Sequence, residues 1–317
     1  MTHELINKLH KSYLKGGCRE VVTEFWVNLT KRGPLSEVIP RVTNETLHEK
    51  LIMAPKVGYW PHLKNPRTFN EYIAHRKLFT NNDTYTKLSD KYRVRDFVSD
   101  CVSEDILTET YFVGSNPDNI PFNKLPKKYI IKPNHGSGWN ITWKNSYTKY
   151  EIKNTCHYWI KTSYGEKSRE YWYNNIEPKI IIEEFIESPS GTVPTDYKFF
   201  VFDGSVEYIQ VDHNRKSNHT RRIYNENWEP EDFRLDYPIA PVTNPPPNLE
   251  ELIEIAEKLG QFFDFVRVDL YNPYKNSIYF GELTFAPGSG QERFFPKKKD
   301  FEFGEKWSAG INDNQHL

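Results

Sequence analysis

The stretch VRVDLYNPYKNSIYFGELTFAPGSG, Val266 to Gly290, decides the fold. It reads as two β-rich runs, Val266–Tyr271 and Tyr279–Thr284, on either side of a turn at Asn272–Ser277. Each run carries an acid, Asp269 and Glu282, thirteen residues apart. Alternate strand residues share a face, so Asp269 shares one with Arg267 and Glu282 shares one with Thr284. If the runs pair across the turn, both carboxylates look out from one side of the sheet. Neighbouring carboxylates repel and need a compensating cation. An oxygen-rich, sulfur-free pair suits Mg2+, which keeps several waters and also binds phosphate oxygens. The competing reading is two solvated acids on an exposed face.

The chain's 317 residues suffice for two or three small lobes or one large domain with a real core. A net charge of −1 argues against a general grip on nucleic acid, which needs a basic surplus. Aromatic residues, 15% of the chain, serve mainly packing, although Trp139, Trp172 and Trp228 are also compatible with a sugar surface. Cys18, Cys101 and Cys156 are far apart and form no CxxC, so reduced thiols are expected rather than a disulfide framework or zinc site. No HxxxH or HExxH pair occurs. The leading MTHELINKLHKSYLKGG lacks an apolar run, and no segment approaches the ~20 apolar residues that span a bilayer. A soluble cytoplasmic protein is expected.

Residues 1–85 read mostly as helix and loop. TFNEYIAHRKLF starts on a capping box, Thr68 with Glu71 three residues on. KLSDKYRVRDFVSDCV reads as a further helix, and 114–126 as a loop. A short strand ends at Lys132, and 179–186 is a buried strand running into a connection. DYKFFVF and SVEYIQV flank Asp203-Gly204, a strong hairpin signal. After Pro245–Pro247, Asn248 opens a helix with Leu249, Leu252, Ile253, Ala256 and Leu259 on one face and Gly260 at its end. Helices followed by mixed strands and helices indicate an α+β fold.

Upstream of the two acids lie elements suited to a triphosphate. KYIIKPNHGSGWNITW puts Lys132 at the end of a β run and then the small-residue loop Gly136-Ser137-Gly138, whose N–H groups can close on phosphate. It lacks the helix-opening GK[ST] of a P-loop, and a plain turn is its ordinary reading. In IIIEEFI, Glu183 and Glu184 offer backbone groups to an adenine edge, with Phe185 and Ile186 as hydrophobic walls. In DYKFFVF, Asp196 and Lys198 share a strand face.

In this order the pieces resemble the ATP-grasp superfamily of carboxylate–amine ligases. NPRTFNEYIAHRKL, LSDKYRVRDFV, YIIKPNHGSG, PKIIIEEFI, DYKFFVFDG, VDHNRKSNHTRRIYNENW and YFGELTFAPGSG together resemble the TupA-like ATP-grasp family, named for teichuronopeptide biosynthesis, over about residues 58–305. The resemblance implies an ATP-grasp fold of two mixed α/β lobes clasping ATP. It implies a helical N-terminal region at 1–85, a lobe with the lysine and glycine loop at 86–182, and a lobe with the metal site at 183–317. Lys91, on a helix, and Lys132 match the phosphate lysines, and Gly136, Ser137 and Gly138 match the covering loop. Glu183, Glu184, Phe185 and Ile186 match the adenine hinge. Asp196 matches the ribose acid, with Lys198 placed for phosphate. Asp269 and Glu282 match the Mg2+ carboxylates. Thr284 stands where the superfamily commonly has Asn. Arg267 matches an arginine facing the reacting carboxylate, and Gly288, Ser289 and Gly290 match the loop beside the acceptor. Arg215 is expected at phosphate, and Arg221 or Arg222 at the acidic substrate.

The implied reaction phosphorylates a carboxylate with ATP and then replaces phosphate by an amine. The family name points to a uronic acid of a bacterial surface polysaccharide as the acid, and to an amino acid or amino alcohol as the amine. A glycosyltransferase is a rival, although no DxD is present; a kinase would need HRD and DFG elements, which are missing. A non-catalytic glycan-binding protein is the third reading.

Overall fold

The computed structural model describes residues 43–313 except 81, 189–190, 192–193, 216–217 and 276, together with 21, 25 and 26. Cys18 and most of the expected helical region before residue 43 lie outside the described residues. Cys101 and Cys156 are free thiols.

Helix α1 (Glu45–Val57) starts on Asn44, whose side chain accepts from Leu47 N at 2.8 Å. Helix α2 (Phe69–Phe79) carries the expected capping box between Thr68 and Glu71. The Glu71 carboxylate also accepts from His62 N and Arg67 N, both at 2.8 Å, and so fixes the chain's entry into the helix. KLSDKYRVRDFVSDCV forms two helices rather than one, α3 (Asp83–Ser89) and α4 (Val94–Cys101). Asp90 causes the break. Its carboxylate accepts from Tyr92 N and Arg93 N, an alternative to the helical ladder. Lys91 therefore stands in a turn, not on a helix.

The first sheet is antiparallel in the order β1–β4–β2–β3: β1 (Thr110–Gly114), β2 (Tyr129–Pro133), β3 (Ile141–Thr142) and β4 (Ile180–Glu184). The sequence reading had missed β1. Glu183 and Glu184 lie on the same strand as Ile180–Ile182, so the lobe boundary drawn at 182/183 falls inside β4. Helix α5 (Lys149–Ile160) starts on a second capping box, Thr148 with Glu151. With the sheet it encloses a core of Ile131, Ile152, Cys156, Trp159, Ile180 and Ile182. Helix α6 (Gly165–Ser168) and a 3-10 turn at Tyr171–Asn175 lead on to β4.

The second sheet is antiparallel in the order β10–β9–β5–β6–β7: β5 (Asp196–Phe202), β6 (Ser205–His213), β7 (Thr220–Tyr224), β9 (Phe265–Tyr274) and β10 (Ser277–Thr284). A small ribbon pairs β8 (Arg234–Leu235) with β11 (Phe294–Phe295). Asp203 and Gly204, at φ 45° and 80°, make the expected turn between β5 and β6. Helix α7 (Leu249–Gly260) buries Leu252, Ile255, Ala256 and Leu259, with Ile255 rather than Ile253 fully inside. The face of β5 that bears Asp196 and Lys198 continues into Phe200 and Phe202. There it meets α2 and helix α8 (Lys298–Asp313). Phe69 of α2 lies edge-on to Phe265 at 4.9 Å and touches Phe200, Phe303 and Trp307. Phe69→Ala is expected to lower stability by about 3–5 kcal/mol, read as an earlier urea midpoint at unchanged slope.

Candidate active site

Strands β9 and β10 place Asp269 directly opposite Glu282. They reach this register through a bulge between Phe280 and Glu282, with Gly281 as the extra residue. A Cβ on Gly281 would lie 2.8 Å from the Asp269 carbonyl oxygen, so the position has no room for a side chain. On the other side of β9, Lys198 of β5 stands opposite Asp269 and Asp196 opposite Tyr271.

The acids are matched by cations. Arg267 clamps Asp269 with two bonds, Nε to Oδ1 at 2.7 Å and Nη2 to Oδ2 at 2.8 Å. Lys198 donates to Asp269 Oδ2 at 3.0 Å and also pairs with Asp196. Lys91 reaches Glu282 Oε2 at 3.2 Å, and Lys132 pairs with Glu183. Arg215 bridges Asp196 at 3.1 Å and Asp212 of β6 at 3.2 Å. Burial pushes the Glu282 carboxyl up, but Lys91, Arg267 and Lys198 outweigh it and bring it down to about 2. Burial likewise opposes the Arg267 charge, yet Asp269 and Glu282 hold its guanidinium above the ordinary arginine value.

These side chains line a cleft of about 420 Å³ between the sheets. Lys132, Ser137, Gly138 and the run Glu183–Ile186 face it from the first sheet, and Asp196, Lys198, Arg267, Asp269 and Glu282 from the second; Lys91 and Arg215 complete it. Sequence reasoning had missed Tyr271 and Phe280, which also line it. Tyr271 stands two residues beyond Asp269 on the same strand face, so alternation alone would have found it.

Other singled-out residues lie elsewhere. Gly136 is buried behind Ser137, where a Cβ would come within 3.0 Å of the Trp139 ring. Thr284 accepts from Arg267 Nη2 at 3.2 Å and donates to Glu282 Oε1 at 3.3 Å. Arg221 and Arg222 do not line the cleft. Arg221 is buried between Asp212 and Glu292, each at 2.7 Å, and Arg222 donates to the Ala240 carbonyl at 2.8 Å. Gly288–Gly290 docks on the N-terminal helices. Lys77 of α2, fully buried, pairs with Glu49 of α1 at 3.0 Å and donates to the Ser289 carbonyl and hydroxyl. Ser289 Oγ in turn donates to the Ser168 carbonyl at 3.2 Å. Trp172 and Trp228 are core residues, the latter stacked on Tyr224; Trp139 alone of the three lines the cleft.

Among the described residues no group of three or more His, Cys, Asp and Glu side chains gathers as a metal cage. The donor set suits a hard divalent ion shared with a ligand: two in-register carboxylates, all oxygen, with three cations already at their oxygens.

Two antiparallel sheets around a cleft, a lysine and glycine loop from one and paired acids from the other, define an ATP-grasp protein. Residues 71–308 match the TupA-like ATP-grasp family, and the chain belongs to that family. No curated protein matches the chain. Among solved structures, D-alanine–D-alanine ligase from Bacillus anthracis is 18% identical at a TM-score of 0.43, covering 71% of this chain and 67% of that one. VanG D-Ala:D-Ser ligase from Enterococcus faecalis is 15% identical at 0.42, covering 71% and 61%. The ATP-grasp ligase PsnB, complexed with a precursor variant, Mg and ADP, is 12% identical at 0.40, covering 95% and 76%. No helix among the described residues is long and apolar enough to cross a membrane.

Gly281→Ala is expected to shift the bulge, to cost about 1–3 kcal/mol by overpacking, and to reduce ATP turnover, because the two acids lose their register. Thermal melting and ADP release read the two effects separately.

Proposed function

We propose that this protein uses ATP and Mg2+ to join the carboxylate of a uronic acid, in a bacterial surface polysaccharide or its precursor, to an amino acid or another small amine. The observation that carries the ligase part is the cleft itself, where Asp269 and Glu282 stand in register opposite a lysine-bearing sheet. The uronic acid rests on the resemblance to the TupA-like family.

In this reading the adenine lies against Phe185 and Ile186, the ribose at Asp196, and the phosphates at Lys91 and Lys132 beneath Ser137 and Gly138. Asp269 and Glu282 would hold Mg2+, which supplies charge neutralisation for the phosphates. Thr284, bonded to Glu282, positions that carboxylate. Phosphoryl transfer needs alignment and charge more than covalent help. Lys198 and Arg215 supply positive charge to the transferring group. Arg267 faces the acyl group and stabilises the oxyanion that forms when the amine attacks. Buried between Asp212 and Glu292, Arg221 shapes the acceptor side rather than meeting substrate.

ADP release by the purified protein, with Mg2+, ATP, a panel of uronic acids and pooled amines, tests this. The expected result is release that needs both acid and amine, with a product mass of acid plus amine minus water. A glycosidic or phosphoester product would overturn the reading.

A further inference from the structure

Among the described residues the buried carboxylates each meet a cation or at least two hydrogen-bond donors, with one exception. Glu49, Glu183, Asp196, Asp212 and Asp269 each face a lysine or arginine. Glu71 and Asp90 accept from backbone N–H groups, and Asp300 from Tyr59 and Asn70. Glu170 is 8% exposed, and among the described residues no lysine, arginine or histidine nitrogen lies within ion-pair distance of it. The Lys77 charge and the Ser168 hydroxyl offset its burial only in part.

Its place in the fold gives this meaning. The segment from α6 to the Tyr171–Asn175 turn touches three parts of the site. Tyr164 packs edge-on against Trp139 of the glycine loop at 5.7 Å. Ser168 receives the hydroxyl of Ser289 in the acceptor loop. Arg169 pairs with Glu49 at 3.2 Å. Glu170 lies between, within electrostatic reach of Lys77 on the acceptor-loop side and of Glu282 and Lys91 on the cleft side. Tyr164 and Tyr173 also feel its charge. A buried carboxylate without a cation is costly, and a site that receives one from a substrate removes that cost.

We propose that Glu170 receives the ammonium group of the amine substrate and takes a proton from it. This rests on the ligase reading above. The balance is complete: R–NH3+ passes one proton to the Glu170 carboxylate, and the neutral amine attacks the acyl phosphate carbon. The C–N bond forms and the C–O bond to phosphate breaks. Phosphate leaves with that electron pair and accepts the second proton. Burial, the larger influence, pushes the Glu170 carboxyl up to about 7, a value matched to accepting a proton near neutrality. Because the folded value lies above the usual one near 4.5, the folded state loses stability as pH rises through that window. Glu170→Gln removes the loss, so the variant should melt higher than wild type above pH ~7.

Two assays test the proposal. The first is saturation-transfer NMR with ethanolamine, in the presence of ADP and Mg2+. Wild type should show binding, Glu170→Gln at least about tenfold weaker binding, and Glu170→Asp partial recovery. Equal signals in wild type and Glu170→Gln, or none in wild type, overturn the proposal whatever the acid substrate is. The second replaces the amine by hydroxylamine, a nucleophile already largely neutral at neutral pH, with the same uronic acids. Glu170→Gln should keep hydroxamate formation and lose amide formation by roughly a hundred- to ten-thousandfold. Loss of both routes marks a structural role and overturns the proposal. If ethanolamine binding depends on Glu170 while no uronic acid gives hydroxamate with wild type, the choice of acid fails and Glu170 stands.

Discussion

Asp269→Asn should abolish Mg2+-dependent ADP release, by at least about a hundred- to a thousandfold, the scale set by removing one preorganised electrostatic group. Asp269 is 4% exposed, opposite Glu282, with Arg267 and Lys198 on its two oxygens. Asparagine fills the same space and keeps one acceptor but carries no charge. It leaves two buried cations facing a neutral amide and gives a divalent ion a single carboxylate in place of two. Lys132 and the run from Glu183, proposed for the adenine, belong to the other sheet. Nucleotide binding without Mg2+ should therefore persist, read through the fluorescence of Trp139 at the cleft wall. Normal turnover in this variant would remove the metal assignment.

Lys198→Met should act mainly on stability. Lys198 is 3% exposed and lies between Asp196 and Asp269. Methionine matches its length, but two buried carboxylates then share a strand pair with one cation fewer. Breaking a buried pair from one side costs roughly 3–5 kcal/mol. Mg2+ should restore part of this in the variant and change wild type less, because the ion replaces charge the lysine supplied. Melting temperature against Mg2+ concentration measures it without reference to catalysis. A variant that melts like wild type with no Mg2+ response would show that Lys198 does not neutralise this pair.

The convergence of the residues proposed for the nucleotide was legible because their signals are local. Acids at alternating strand positions, Asp-Gly between two β runs, and a lysine ahead of small residues all reveal themselves within a dozen residues. The break at Asp90 was locally encoded too, in an acid able to accept the next N–H groups, but the helical pattern around it masked the turn. The surroundings of the loop proposed for the acceptor were not legible, because distant segments build them. Ser289 meets Lys77, 212 residues away in the chain. Arg221 or Arg222 was expected at the acidic substrate, and Asp212 and the far-off Glu292 enclose Arg221. Adjacent strand residues point to opposite faces, so the two arginines could not share a role. Glu170 shows nothing in its own neighbourhood, since its distinction is the paired cation it lacks, and only tertiary structure reveals that.

The isoleucine-rich core of the first sheet and the phenylalanine-rich core of the second are separate clusters. Cooperative melting needs apolar contact that spans the molecule, and here it narrows to the rings of Trp139, Tyr164 and Tyr173. The cleft lies between them, crossed by the bond from Lys91 N, in the turn between α3 and α4, to the Asn134 carbonyl just beyond β2 at 3.1 Å. A nucleotide seated there would touch both halves at once and act as their mortar. Without it the halves should lose structure at different temperatures. With it they should melt together, raised by the mass-action term RT ln(1 + [L]/Kd).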